Sequence, residues 1–329
     1  MATGYVRSEL VTVFGGSGFV GRHVVRALAR RGYRVRVAVR RPDLAGFLQP
    51  LGGVGQIHAV QANIRNRESI DRAIAGSDAV VNLVGILYES GRQSFDVVQA
   101  VGPGAVAAAA RDAGVGRLVH ISAIGADANS ESNYARTKAA GEAAVRTAFP
   151  DAVIMRPSIV FGPEDDFFNR FGAMARIAPV LPLIGGGNTR FQPVYVGDVA
   201  EAVAQGVDGK LTSGTVYELG GPEIRTFKQL LEYILKVTGR RRILAPLPFE
   251  IAKLKAWFLQ MFPKPLLTVD QVRLLARDNV VSEEAIKEGR TLEGIGIDPN
   301  AIETVVPAYL ARYRKAGQFS SPDRTVSQS

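Results

Sequence analysis

Residues 10–14, LVTVF, run without a break into GGSGFVG at 15–21 and on into a helical pattern, FVGRHVVRALARRG. Few folds accept a strand that stops on glycines and restarts as a helix. With no side chains in the way, the main chain can turn tightly. The helix beyond then presents free N–H groups and the positive end of its dipole to whatever fills the turn. Gly16, Gly18 and Gly21 satisfy G-x-G-x-x-G, while Gly15, Gly18 and Gly21 satisfy the looser G-x-x-G-x-x-G. Between a strand and a helix, this spacing predicts a pyrophosphate cradle built by Gly15, Gly16, Ser17, Gly18, Phe19, Val20 and Gly21. The alternative is a tight turn that holds nothing.

Apolar β-branched runs recur down the first half of the chain: RVRVAV, IHAVQA, AVVNLVG, RLVHISA and AVIMRPSIVF, each separated from the next by a helical pattern. Runs apolar on both faces and alternating with helices predict a parallel sheet covered on both sides, a doubly wound α/β fold. RFQPVYVGDVAEAVAQGV and GTVYELGG read as late returns to the same sheet. Residues 161–192 and those from 222 onward are less regular and richer in Pro and Gly, predicting a smaller, mostly helical lobe with a substrate cleft between the lobes. The expected division is 8–160 with 193–221 as the dinucleotide-binding domain, 161–192 with 222–318 as the smaller lobe, and a polar tail at 319–329. At 329 residues and 47% hydrophobic, the chain can bury such a core.

Several chemistries fall away on composition. The chain has no cysteine, which removes disulfides, thiolate nucleophiles and Cys-ligated metals, and its three histidines, His23, His58 and His120, lie far apart in sequence. No metal site is expected. No apolar run approaches the 18 or so residues of a membrane span, and the N-terminal stretch lacks the pattern of a signal peptide. The expected location is cytoplasmic. The net charge of +9 and pI near 9.9 favour an anionic partner, but no basic and aromatic nucleic-acid module stands out, so nucleic acid is not expected.

The second strand ends on Arg40 and Arg41, where a carboxylate would accept the ribose 2′-OH of NAD(H). Guanidinium suits a 2′-phosphate, so the reading is NADP(H); the alternative is solvated charge at the end of an arginine-rich strand. Asn63 after the third strand borders the expected adenine position, and Asn82 with Leu83, Val84 and Gly85 after the fourth runs along the cofactor. Ser122 closes the fifth strand. Tyr134 and Lys138 follow at i, i+4 on a helix, which stacks phenol and ammonium on one face. A neighbouring cation favours phenolate, making Tyr134 an acid/base candidate, with Ser122 placed to hold a substrate carbonyl.

GGSGFVG, Ser122, YARTK, MRPSIVFGPED and FQPVYVGDVAEAV, in that order, resemble the extended short-chain dehydrogenase/reductases, which include sugar-nucleotide epimerases. The resemblance spans about residues 8–235 and implies a Rossmann-type fold. It makes Tyr134 the acid/base, Lys138 also a ligand of the nicotinamide ribose, Ser122 the substrate-orienting group, and Pro157 part of the cofactor wall. Gln99 stands where many members carry an asparagine of a proton relay.

LLTVDQVRLLARDNVVSE and GIDPNAIETVVPAYLARYRKAGQF narrow the resemblance to the atypical subfamily that includes the nucleotide-binding accessory subunit of respiratory complex I. That implies NADPH held as a structural ligand, other complex I subunits as partners near the quinone site, and a peripheral position on the cytoplasmic face of a bacterial inner membrane. The alternative it leaves is a working NAD(P)-dependent oxidoreductase or epimerase of the extended type, linked to ubiquinone biosynthesis. Winding 249–262 as a helix places Ile251, Leu254, Phe258, Met261 and Phe262 in one stripe, with Trp257 at its margin and Lys253, Gln260 and Lys264 opposite. Such a stripe suits anionic lipid, but an amphipathic helix more often packs on its own core or on a partner subunit. The basic run GRRRI at 239–243 adds positive charge, or forms a solvated turn.

Overall fold

The computed structural model describes residues 7–262, 265 and 267–315. Lys264 and the tail at 319–329 lie outside them. The described chain divides into two compact units.

The first unit holds seven strands: β1 (Leu10–Phe14), β2 (Arg34–Val39), β3 (Ile57–Gln61), β4 (Ala79–Asn82), β5 (Arg117–Ile121), β6 (Val153–Pro157) and β7 (Val216–Leu219). They form one sheet in the order β7-β6-β5-β4-β1-β2-β3, every pair parallel. Val11, Val13, Val35, Val37, Val80 and Val81 are buried. This is why the strands read as continuous apolar runs rather than alternating ones. Helices α1 (Phe19–Arg30), α2 (Arg67–Ile74), α3 (Gly102–Asp112), α4 (Asn133–Ala148) and α5 (Val196–Val207) flank the sheet, and α6 (Glu283–Lys287) follows later in the chain. The fold is a Rossmann-type doubly wound sheet. Strand order reverses between β1 and β4, and in such sheets ligands bind at the carboxyl ends of the strands beside that reversal.

The first unit comprises residues up to Pro157, Val196–Leu219 and Val281–Asp298. Sequence reading assigned all of 222–318 to the second lobe, so the return of 281–298 is a correction. Edge pairing explains it. Glu218 on β7 donates its main-chain N–H to Arg290 O and accepts the N–H of Ser282 on its carboxylate, while Arg290 donates to Val216 O. Segment 281–298 therefore satisfies polar groups of the outer strand that no eighth strand covers.

The second unit, Ser158–Tyr195, Gly220–Val280 and the chain from Pro299, is mostly helical. Its strands pair only in twos: Val160–Phe161 with Val194–Tyr195, Val180–Ile184 with Ile243–Leu247, and Arg190–Phe191 with Arg225–Thr226. Its core is aromatic, with Phe161, Phe168, Phe191 and Phe227 buried among the half-buried Phe167 and Phe171. Asp165 ties this core together. Its carboxylate accepts N–H groups from Gly162, Phe168 and Asn169 and the Tyr309 hydroxyl at 2.5 Å.

The helix expected over 249–262 is Phe249–Leu259, and its apolar stripe does not face its own core. Ile251, Leu254, Trp257, Phe258, Met261 and Phe262 are all exposed, Leu254 by 60% and Trp257 by 52%. Ala252 and Ala256, one turn apart, are the buried positions, packed with Ile184 and Val272. Small residues allow close approach on that side, and the Phe249 ring anchors the helix start against Gly185, where a Cβ would lie 2.2 Å from the ring. Among the described residues, no helix is long and apolar enough to cross a membrane.

Candidate nucleotide-binding site

The glycine turn after β1 has the backbone that its sequence requires. Gly15 sits at φ 78°, in the left-handed region that disfavours a side chain, and accepts the N–H of Gly18 at 3.0 Å. A Cβ on Gly21 would fall 2.2 Å from Gly15 O, and one on Gly16 would fall 2.8 Å from the Val37 side chain. The helix start is thereby pressed onto the turn. Gly18 caps α1 without a side chain, and the first turn carries no acidic residue. With the Gly15 N–H spent on Ala38 O and the Gly18 N–H on Gly15 O, the helix dipole and the N–H groups at Phe19 and Val20 suit an anion beside Ser17.

The two arginines after β2 are not equivalent, although sequence reading treated them alike. Both are exposed. Arg41 forks onto Asp43, Nε to Oδ1 at 3.0 Å and Nη2 to Oδ2 at 2.7 Å, and this pairing holds the Asp43 carboxyl below its ordinary range. Arg40 has no ion pair among the described residues. Asn63, after β3, spends its Oδ1 on its own turn, accepting from the Arg65 N–H at 3.1 Å.

Beyond β4, the Leu83 N–H donates to Phe14 O at 3.0 Å, which fastens Leu83, Val84 and Gly85 alongside the glycine turn. Asn82, buried, accepts the Val84 N–H on Oδ1 at 3.2 Å and brings Nδ2 within 3.3 Å of His120 Nδ1. Beyond β5, Ser122 is buried and its Oγ has no partner among the described residues. Helix α4 is capped by Ser132, which accepts the Ala135 N–H. This fixes the start of the helix that carries the phenol and the ammonium.

On α4, Lys138 Nζ is buried and donates to Ile121 O at 3.2 Å. Burial lowers its pKa to about 8, opposed by the charge of Glu142 one turn on. Glu142 is itself held by Arg156, through Nε at 2.8 Å and Nη2 at 2.7 Å, and by Arg146 at 2.9 Å. Tyr134 stands half-buried between the edge of Phe95, at 5.8 Å between ring centroids, and Lys138 Nζ, 5.9 Å from its own centroid. A Cβ on Gly85 would lie 3.4 Å from Lys138 Nζ, so the β4 turn and the lysine are neighbours. Pro157, buried at the end of β6, accepts the Ile124 N–H and closes the wall behind Ser122.

Gln99 lies in a π-helical turn, Asp96–Val101, that leads into α3. Its Nε2 donates to Ile86 O at 3.1 Å, and its buried Oε1 has no partner among the described residues. Gly141 on α4 makes room for this turn, since a Cβ there would fall 2.0 Å from Gln99 O. The structure thus gathers Gly15–Gly21, Leu83–Gly85, Ser122, Tyr134, Lys138 and Pro157 at the carboxyl ends of β1, β4, β5 and β6. Sequence reasoning missed His120 and the Glu142–Arg156 pair. Strand alternation places His120 on the same face as Ser122, a signal available in VHIS. A glycine cradle, a helix N-terminus, a buried lysine and an orphaned serine hydroxyl fit a dinucleotide. No group of residues able to hold a metal ion occurs among the described residues.

The model of the NAD dependent epimerase/dehydratase family matches residues 11–220, which contain every one of these positions. The chain belongs to that family. Epimerase/dehydratase members share the NAD(P)-binding Rossmann domain seen here. Among relatives of this member is NADH dehydrogenase [ubiquinone] 1 alpha subcomplex subunit 9, mitochondrial, of Arabidopsis thaliana, 35% identical over 98% of this chain and 82% of the relative. The NADH-ubiquinone oxidoreductase 40 kDa subunit, mitochondrial, of Neurospora crassa is 31% identical over 96% of this chain and 83% of its own length. Among solved structures, the NADPH-dependent quinone oxidoreductase QOR2 from Escherichia coli, complexed with NADPH, superposes with a TM-score of 0.71. It covers 91% of this epimerase/dehydratase chain and 99% of QOR2 at 19% identity, a likeness of fold alone.

Proposed function

We propose that the protein is an NADP(H)-binding accessory subunit of respiratory complex I, in which the nucleotide is a structural ligand. The observation that carries this reading is the relationship to complex I subunits over 98% of the chain, which extends past residue 220, where the family domain ends. Free Arg40 at the end of β2 supports a 2′-phosphate and hence NADP(H) over NAD(H). In the same reading, the chain docks against other complex I subunits near the quinone site, at the junction with the membrane arm. On a bacterial inner membrane this is the cytoplasmic face. The exposed stripe of the Phe249–Leu259 helix, with Trp257 at its edge and Lys253 and Lys255 beside it, supports peripheral contact with anionic lipid. Of the basic run, Arg241 is exposed and adds positive charge, whereas Arg240 and Arg242 donate to Tyr313 O and Ala175 O.

The second reading is an oxidoreductase or epimerase, favoured by the intact Ser122, Tyr134 and Lys138. A bound nicotinamide supplies hydride transfer. In that reading Lys138 holds a proton at Nζ beside the Tyr134 ring, Tyr134 exchanges a proton with substrate, and Ser122 Oγ, without a partner among the described residues, orients a carbonyl.

The deciding experiment tags the protein in its native host, extracts membranes in mild detergent, and identifies copurifying proteins and the nucleotide freed by denaturation. Complex I subunits with near-stoichiometric NADPH are expected. Recovery free of those subunits, with readily exchanged nucleotide, overturns the accessory-subunit reading and favours the enzyme.

A further inference from the structure

We propose that His120 is a positioning residue for the bound nucleotide, holding the Leu83–Gly85 wall of its site through the side chain of Asn82. This rests on the reading of the site as one for NADP(H).

The register of the sheet places Asn82 directly opposite His120 on β4 and β5, and both side chains are buried. Asn82 Oδ1 is committed to the Val84 N–H, so the group facing the imidazole at 3.3 Å is the amide nitrogen, a donor. Facing that donor, His120 Nδ1 is assigned as the acceptor and the ring proton to Nε2. Only a neutral imidazole can do this. Burial, aided by the charge of Lys138, keeps it neutral by lowering its pKa to about 3.

The arrangement carries a cost that shows what the histidine is for. His120 Nε2 has no partner among the described residues, and a buried unpaired donor is unfavourable. An apolar residue would avoid that cost but would leave the Asn82 amide free to turn. The Val84 N–H would then lose its fixed acceptor, leaving the Leu83 bond to Phe14 O as the remaining tie at the start of the turn. Gly85 is one residue further on and borders Lys138 Nζ, so displacement of the turn reaches both the nucleotide wall and the lysine.

The test compares the full-length protein with His120→Asn, His120→Gln and His120→Phe, reading NADPH affinity by nicotinamide fluorescence alongside thermal unfolding. An Asn oxygen occupies the place of Nδ1, a Gln amide reaches the place of Nε2, and Phe offers neither. We expect His120→Asn to bind NADPH within about twofold of wild type. The Gln and Phe variants should bind about tenfold more weakly, the effect of one buried hydrogen bond. Asn82→Ala should weaken binding similarly, and adding His120→Phe to it should weaken binding no further, because the path is already cut. If His120→Phe does not fold, His120→Gln carries the same comparison. Unchanged affinity in both variants, an Asn variant as weak as Phe, or additive losses in the double variant overturns the inference alone. A wild-type protein with no affinity for NADPH overturns the nucleotide reading and this inference with it.

Discussion

Arg40 and Arg41 are adjacent and both exposed, yet only one of them is free to meet a ligand. Arg41 is neutralised by its fork onto Asp43, so charge reversal there removes an ion pair that water already screens. Arg40→Glu should weaken NADPH by at least about tenfold and narrow the preference over NADH, while Arg41→Glu changes affinity by less than about threefold. Equal losses in nucleotide titrations of the two variants would show that the arginines act as a pair. His120 supplies a pH dependence of defined sign. Its folded pKa, about 3, lies below the unfolded value near 6.5, so the unfolded chain takes up the proton first. Its contribution to stability is complete above about pH 6.5 and is lost as pH falls toward 3. Urea unfolding from pH 7 to 4.5 should therefore be steeper in wild type than in His120→Asn, by about 1 kcal/mol per pH unit. Parallel profiles would contradict a buried neutral imidazole.

At the scale of the element, the Phe249–Leu259 helix separates pattern from burial. Beyond Phe249 at its start, its alanines rather than its apolar stripe face the core of its unit, because Cβ-sized residues let it approach Ile184 and Val272 closely. Ala256→Asp should cost several kcal/mol, since it buries a carboxylate without a partner, and should appear as a lowered urea midpoint. Leu254→Glu with Trp257→Glu should leave that midpoint nearly unchanged but reduce recovery of the protein with membranes several-fold. A large loss of stability in the exposed pair would return the stripe to the core. The glycine turn was the opposite case. Gly15 needs its positive φ, and Gly21 admits no Cβ within 2.2 Å of Gly15 O, so local sterics alone fixed that element and it was legible at once.

For the whole molecule, the structural-ligand reading makes a prediction that the enzyme reading does not share. Tyr134 lies beside Phe95 and Lys138, and removal of its hydroxyl leaves the ring and its edge contact in place. Tyr134→Phe in the native host should leave complex I assembly and quinone reductase activity within about 20% of wild type, at the level of a surface change. A protein that assembles normally while a quinone-related or nucleotide-sugar conversion disappears would instead make Tyr134 a working acid/base.

Periodicity and glycine spacing determined much by themselves: a parallel doubly wound sheet, the tight glycine turn after the first strand, and the placing of Tyr134 and Lys138 one turn apart on a helix. These depend on backbone sterics and on residues close in sequence, which any chain with that pattern must obey. Tertiary structure alone decided the return of 281–298 to the outer strand, the outward turn of the 249–259 stripe and the pairing of Asn82 with His120. Each depends on which partner arrives from a distant part of the chain. His120 and Asn82 are 38 residues apart and meet only because β4 and β5 pair in register, which no local pattern encodes.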